Sequence, residues 1–255
     1  MRVCVLGSGS SGNCTYIEHG LTRLLVDAGL RAKEIVRRLS LIGIDPETLS
    51  GILISHEHHD HIHGAAALAR KFKFPVFISR KALSFAPSSL QHAVNIPIAA
   101  DIPVQIGAFT VTPFSTPHDS VDPLAFSIRT SQSRACIVTD IGFVSDNIRE
   151  KIVKTDLLVI ESNHDLEMLR TGPYPWSLKQ RVMSNVGHLS NEALAFFFSE
   201  YYDGSERTVM LTHLSRQNNH PQLAYVAASR ALEKKCKNAH LHISLQDEVS
   251  EILEI

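Results

Sequence analysis

Cysteine is scarce, with four in the chain (Cys4, Cys14, Cys136 and Cys236) and no CxxC pair among them, so a disulfide-stapled scaffold is excluded. They read as reduced thiols, two of them inside apolar, strand-like runs. No stretch approaches the ~18 consecutive apolar residues that a membrane span needs. The opening Met-Arg-Val-Cys-Val-Leu-Gly has one Arg and an apolar run broken at Gly7, too short for a secretory core, so a cytoplasmic protein without a membrane is expected. Neither sign of charge is in excess: 25 Lys and Arg stand against 26 Asp and Glu, so a nucleic-acid partner must be held by a local patch or by bound metal. Low-complexity tracts, blocks of like charge and fixed-period repeats are absent, which excludes disordered and solenoid architectures.

What is present is an ordinary globular composition over 255 residues, 44% hydrophobic and 20% charged, without a Pro/Gly/Ser linker. A single domain over residues 1–255 is expected. Short β-branched runs predict strands at Val3–Leu6, Thr15–Glu18, Leu24–Asp27, Ile52–Ser55, Val76–Ser79, Phe109–Phe114, Leu124–Arg129, Ala135–Thr139, Leu157–Glu161 and Thr208–Thr212. Helical periodicity covers Ala32–Leu41, Ala65–Phe72, Asn147–Lys154, Asn191–Tyr202 and Pro221–Lys235, with Ser190 suited to an N-cap and Pro221 to a first helical position. Hairpin-rich openings with helices at intervals do not fit a doubly wound sheet. They fit an α/β class protein with two packed sheets and helices outside, a four-layer αββα sandwich.

The abnormal count is histidine, 14 in all, five of them between His56 and His63. Residues 51–64 read Gly-Ile-Leu-Ile-Ser-His-Glu-His-His-Asp-His-Ile-His-Gly. A buried strand ending at Ser55 and a helix beginning near Ile62 leave the polar residues on the connecting loop, where functional groups are displayed. His56 and His58, two apart in extended chain, project to one side. Asp60 and His61 follow where the backbone turns and face a neighbouring point. That pattern suits two adjacent divalent ions, one per pair, because imidazole nitrogen and carboxylate oxygen are the ligands of a zinc-type ion. Glu57, His59 and His63 are surplus to it. Further ligands must come from the ends of other apolar runs, where His118, Asp140 and His213 each follow a predicted strand.

The H-x-H-x-D-H segment, with His118, Asp140 and His213, resembles the metallo-β-lactamase fold hydrolases. Leu6-Gly-Ser-Gly-Ser-Ser-Gly-Asn13, Asp27-Ala-Gly29, Glu161-Ser-Asn-His-Asp165, the segment Tyr174–Arg181, Gly187-His-Leu-Ser-Asn191 and Leu211-Thr-His-Leu-Ser215 narrow the likeness to the YycJ (WalJ, VicX) group of phosphodiesterases over essentially the whole chain. The resemblance implies one metal on His56, His58 and His118, a second on Asp60, His61 and His213, and Asp140 bridging both. It implies a DNA exonuclease acting 5′ to 3′ in DNA repair, with two divalent ions (zinc or manganese, iron as a further choice) as cofactors and DNA as partner. No seam for the large inserted domain of RNA-processing relatives lies between Asp140 and His213.

The resemblance implies further roles. By its place in the motif Asp60 takes a proton from the nucleophile while ligating. As in related phosphodiesterases of the fold, His188, otherwise a helix-capping or packing residue, donates one to the leaving oxygen, and Glu161 is placed to orient it. Ser8, Ser10, Ser11 and Asn13, on a Gly/Ser loop able to form an anion nest, and His164 are candidate substrate contacts. Arg70, Lys71, Lys73, Arg80 and Lys81 form a basic stretch more simply read as a solvated face. Trp176 is a loop anchor before it is a stacking platform, and Leu194, Phe197 and Phe198 have the spacing of core. The competing readings are a small-molecule hydrolase of the same fold, acting on a cyclic phosphodiester, thioester or lactone, and a non-catalytic regulatory protein.

Overall fold

A computed structural model describes residues 1–202, 208–233, 235 and 239–255. The chain opens with antiparallel β1 (Arg2–Gly7), β2 (Cys14–His19) and β3 (Thr22–Val26). From β3 the pairing turns parallel, through β4 (Gly51–Leu53), β5 (Val76–Ser79) and β6 (Asn95–Ile98). Their connections carry α1 (Ala32–Leu41), α2 (His59–Ile62), α3 (Ala65–Phe72), α4 (Arg80–Phe85) and α5 (Ser88–Gln91). The second half mirrors this order. Antiparallel β7 (Val104–Ile106), β8 (Phe109–Ser115), β9 (Leu124–Arg129) and β10 (Arg134–Val138) lead into parallel β11 (Leu157–Glu161), β12 (Thr208–Thr212) and β13 (His240–Ile243). Here the helices are α6 (Asp146–Ile152), α7 (Leu166–Thr171), α8 (Trp176–Val182), α9 (Asn191–Glu200) and α10 (Pro221–Leu232). The short β14 (Leu253–Glu254) returns to pair with β1.

Two seven-stranded sheets result, ordered β14-β1-β2-β3-β4-β5-β6 and β13-β12-β11-β10-β9-β8-β7. Alternation along the strands decides how they pack. Val3, Val5, Ile17, Leu24, Val26 and Leu53 of the first sheet meet Phe109, Val111, Phe126, Ile128, Ile137 and Val159 of the second between the sheets. The opposite faces bury α1 and α3 through Ile35, Leu39 and Leu68 on one side, and α6, α9 and α10 through Ile148, Leu194, Phe198 and Ala228 on the other. The expected αββα order of layers is therefore realised, and Leu194, Phe197 and Phe198 are core.

Local signals account for most boundaries. Ser190 Oγ accepts from Ala193 N at 3.1 Å, and Pro221 opens α10 behind His220. β4 stops at Leu53, two residues short of the expected end, because the backbone N–H of Ser55 turns to Asp27 Oδ1 at 2.8 Å. The helical turn α2 starts at His59, before the predicted Ile62. Helices α6 and α9 end at Ile152 and Glu200, earlier than periodicity suggested. Cys4, Cys14 and Cys136 are buried thiols; Cys236 lies outside the described residues. No helix among the described residues is long and apolar enough to cross a membrane.

Candidate metal centre

Every candidate ligand stands just past the end of a strand, and the two sheets deliver them to one shared edge. The first sheet supplies Asp27 after β3 and the loop from His56 to His61 after β4. The second supplies His118, Asp140, Glu161 and His213 from the ends of β8, β10, β11 and β12. Asp27, Asp140 and His213 all have left-handed backbone, with φ of 61°, 56° and 58°. Non-glycine residues adopt that conformation at a cost and keep it where the surroundings enforce it, commonly at functional sites. At His213 the enforcement is visible: its N–H donates to Ser8 Oγ at 2.6 Å, and its carbonyl accepts from Asn163 Nδ2 at 2.8 Å. The metal loop also needs a close backbone approach. A Cβ on Gly29 would fall 1.5 Å from the carbonyl oxygen of Asp60, so only glycine lets the Asp27–Leu30 turn lie against that loop.

The side chains fall into the two groups the resemblance implied. In the first, His56 Nε2 lies 3.0 Å from His58 Nδ1, which lies 3.3 Å from His118 Nε2. A tetrahedral ion with bonds of ~2.0–2.1 Å sets its ligand nitrogens about 3.4 Å apart, so these spacings fit a zinc-type ion closely. In the second, His213 Nε2 and His61 Nε2 lie 3.8 and 3.6 Å from Asp60 Oδ2. Asp140 stands between the groups, Oδ2 at 3.0 Å from His61 Nε2 and Oδ1 at 3.9 Å from His118 Nε2. Asp140 Oδ2 and His213 Nε2 are buried without a hydrogen-bond partner, a costly state that a cation would relieve.

Behind three of the five imidazoles sits a partner that fixes the tautomer. His61 Nδ1 donates to Asp27 Oδ2 at 2.8 Å, His118 Nδ1 to the Gly187 carbonyl at 3.2 Å, and His213 Nδ1 to Glu161 Oε1 at 2.9 Å. Each leaves its Nε2 lone pair facing the centre, the usual support of a metal-binding histidine. Asp27 also accepts from Ser55 Oγ at 2.9 Å, which ties β3 to the metal loop. This role of Asp27 is not readable from spacing, since 34 residues separate it from His61.

The electrostatics point the same way. Burial pushes the imidazoles of His56 and His118 below their usual range, so both present neutral lone pairs. Burial acts downward on His61 and His213 too, but Asp140 with Asp27 and Asp60 around His61, and with Asp60 and Glu161 around His213, raises both well above it. Asp140 and Asp60 are held below the carboxylate range against burial, by His213 and His61 respectively as the leading attractions. Asp27, Asp60, Asp140 and Glu161 thus crowd one edge, and the ion-pair partners recorded for them are histidines. Such a cage favours added positive charge, and two divalent cations satisfy it without protonating the ligands.

Glu161 does more than orient His188. Its Oε1 accepts from His188 Nδ1 at 2.7 Å as well as from His213, and its Oε2 accepts from Ile141 N at 2.8 Å, beside Asp140. Burial opposes its ionisation, but His188 and His213 carry the carboxyl down to about 2. The same carboxylate overcomes burial at His188 and raises that imidazole. His188 lines the cavity over the centre with 21% of its side chain exposed, its Nε2 the ring nitrogen not bonded to Glu161.

Several expected substrate contacts take other parts. Ser8 is buried under His213, and Ser11 is exposed away from the cavity wall, which Ser10 does reach. Three N–H groups of the Gly/Ser loop are committed within the protein: Gly9 N donates to Asn13 Oδ1, Gly12 N to the Gly9 carbonyl and Asn13 N to the Asp60 carbonyl. Asn13 Nδ2 sits 3.0 Å from His61 Nε2, so Asn13 shapes the metal loop. His164 is 1% exposed and does not reach the cavity; both its ring nitrogens lack partners, and burial pushes its pKa down to about 4. The basic stretch contributes nothing to the cavity wall, and Trp176, 63% exposed, anchors no loop. Among the surplus residues, Glu57 Oε1 accepts from Val121 N, while the rings of His59 and His63 lie 4.2 Å apart.

The sequence pattern of the metallo-beta-lactamase superfamily matches residues 7–188. The chain belongs to that superfamily. This metallo-beta-lactamase chain is 37% identical over 242 residues to exodeoxyribonuclease YycJ of Bacillus anthracis, covering 92% of itself and 90% of that protein. It is 38% identical over 234 residues to exodeoxyribonuclease WalJ of Streptococcus pneumoniae, covering 88% and 86%. In structure it matches the metallo-beta-lactamase fold protein YhfI of Bacillus subtilis with a TM-score of 0.72 over 98% and 99% of the chains, at 21% identity. It also matches the short form of human tRNase Z with a TM-score of 0.67 over the full length of both, at 16% identity. These structural likenesses speak for the fold.

Proposed function

We propose that this protein is a metal-dependent DNA exonuclease working on DNA ends in cytoplasmic repair, with His56, His58 and His118 on one divalent ion, Asp60, His61 and His213 on the other, and Asp140 between them. A histidine-only group suits zinc, and the oxygen-containing group suits zinc or manganese. Bound there, the ions supply an acidified water and neutralise phosphate oxygens. The observation that carries a phosphodiester reading is the His188–Glu161 pair beside that cage. His188 Nδ1 keeps its proton on Glu161, while Nε2 holds the second proton that the leaving alkoxide requires as its bond to phosphorus breaks. Glu161, buried and ionised, favours the charged imidazolium that must exist before that transfer. Asp60 serves as a ligand. Against burial, the attraction of His61 holds its carboxyl ionised, and the proton-accepting part that the motif suggests for it stands beside ligation as part of this proposal.

End-labelled single- and double-stranded DNA and RNA, incubated with metal-loaded protein, test this directly. Stepwise shortening of DNA from the 5′ end is the expected product pattern. Undegraded DNA beside rapid hydrolysis of a thioester or lactone would overturn it.

A further inference from the structure

The fold splits the basic stretch that follows the metal loop in sequence. β4, β5 and β6 run parallel, so Arg80 and Lys81, which follow β5 directly, emerge at the edge where the metal loop leaves β4. Arg70, Lys71 and Lys73 precede β5 and stand towards the opposite edge. At the metal edge a groove of about 550 Å³ opens between β6 and β7, the outermost strands of the two sheets, against about 230 Å³ for the cavity over the metal centre. Its walls carry Arg80 and Lys81 of α4, Pro97 of β6, Ile102 and Pro103 of the connection to β7, and Asp122. The loop ending at Asp122 joins the groove to the site. Asp122 is four residues beyond the candidate ligand His118, and even fully extended chain spans no more than ~14 Å over that length. Its neighbour Val121 donates its N–H to Glu57 Oε1, within the metal loop, at 3.0 Å. A nucleic-acid strand carries about one charge per ~3.4 Å of helix axis, so the groove lies within about four phosphates of the centre.

Charge and apolarity together select the occupant. Arg80 and Lys81 are exposed, and among the described residues neither side chain has a hydrogen bond or an ion pair. The lining sets two cations against one acid, the reverse of the carboxylate-rich metal centre beside it. Ile102 is 63% exposed, next to the exposed Pro97 and Pro103, so an apolar wall faces water at a cost in free energy. Cations alongside an apolar wall match single-stranded nucleic acid, whose bases can leave water while its phosphates are held. A duplex keeps its bases inside and gains nothing from such a wall. We propose that the groove between β6 and β7 holds the single strand that extends beyond the metal centre, with Arg80 and Lys81 on its phosphates and Pro97, Ile102 and Pro103 against its bases. This rests on the exonuclease reading and gives the enzyme a grip on nucleotides away from the bond being cut.

The test is a salt titration of binding, read by fluorescence anisotropy with metal-loaded protein. Its probes are labelled oligothymidines of 2 to 12 nucleotides with phosphorothioate linkages throughout, which resist cleavage and keep their charge. Affinity is expected to rise with length up to about six nucleotides. Arg80→Gln with Lys81→Gln should lower the slope of log K against log salt by about 1.4, at ~0.7 per phosphate of a single strand. At 0.1 M salt that is about 25-fold weaker binding, the factor such a slope produces between 0.1 and 1 M. Each substitution alone should remove about half of the slope change. Arg70→Gln with Lys73→Gln, an equal loss of charge at the opposite edge, should leave the slope as it is. An unchanged slope in the Arg80/Lys81 variant overturns the proposal, as does an equal fall in the Arg70/Lys73 variant. A fall seen with a blunt duplex and absent with single strands overturns it too, since the occupant would then be a duplex backbone. The exonuclease reading is judged separately, on unmodified DNA: the predicted slope change without degradation removes that reading, and degradation with an unaltered slope removes the groove alone.

Discussion

His61 and His213 are useful as ligands only because something behind each of them holds a proton in place, and that support is where single substitutions should be most informative. Asp27→Asn leaves the size of the side chain unchanged but weakens the acceptor of the His61 Nδ1 proton. Loss of such a partner typically costs 10–100-fold in metal affinity. Competition with a coloured chelator should show one of the two ions weakened by about that factor while the other is held as before. His188→Ala should retain both ions and lose about 10²–10⁴ in turnover on DNA, the scale of general-acid catalysis. The loss should be smallest on a nitrophenyl phosphodiester, whose leaving group needs no proton, and equal losses on both substrates would remove the acid role. His164 makes a pH-dependent prediction. Its neutral ring is buried without partners and its pKa is pushed down to about 4, so the unfolded chain takes up the proton first. Its contribution is whole above pH ~6.5 and is lost as the pH falls toward 4, by about 3 kcal/mol. His164→Leu should therefore lose less stability than the unaltered protein between pH 7 and pH 5 in urea titrations. Of these residues, the H-x-H-x-D-H group was legible because its neighbours in sequence are its neighbours in space, and His188 through the resemblance, since its partner Glu161 lies 27 residues away. Asp27 and the inner position of His164 were not, because both follow from contacts between distant segments.

At the scale of elements, the strands that bury both faces announced themselves as apolar runs, and their boundaries fell within a residue or two. Those that periodicity missed share a physical reason. β6 carries Pro97 and lies at a sheet edge, where apolar alternation is weakest. β7 and β14 span three and two residues and exist through their pairing with β8 and β1. β13 is only half-buried, so its burial pattern is weak. Helices α7 and α8, six and seven residues long and bounded by Gly172 and Pro175, are too short for a 3.6-residue pattern to register. They nevertheless position the site. A Cβ on Gly187 would meet the carbonyl oxygens of Arg181 and Val182 at 2.2 and 2.3 Å, so this glycine lets the segment bearing His188 dock on the end of α8. Gly29 does the same for the metal loop, and there the obstacle is backbone. Gly29→Ala should destabilise the fold by about 3 kcal/mol, the upper part of the usual range for overpacking, and weaken metal binding with it. A variant with unchanged melting temperature and metal content would show that the turn yields without consequence.

For the molecule as a whole, two sheets that bring their strand ends to one edge make a rigid frame for a centre whose ligands are spread from residue 56 to residue 213. The αββα layering was legible from the succession of hairpins and helices. The pairing of the two halves at the site was legible through the resemblance alone, because physically it depends on the sheets facing one another across Val5, Leu24, Phe126 and Val159. Because ligands from both sheets meet at the ions, metal should stabilise the fold: a ligand at 1,000 times its dissociation constant adds about 4 kcal/mol if it binds the native state alone. Chelation should lower the melting temperature markedly, and restoring zinc or manganese should recover it. The central claim is that side chains from both sheets cage two cations side by side. Anomalous diffraction at the metal absorption edge, on crystals of purified protein, tests it most directly. Two peaks are predicted, one among His56, His58 and His118 and one among Asp60, His61 and His213, with Asp140 touching both. A single ion elsewhere, or no peak at these side chains in metal-saturated crystals, would contradict it.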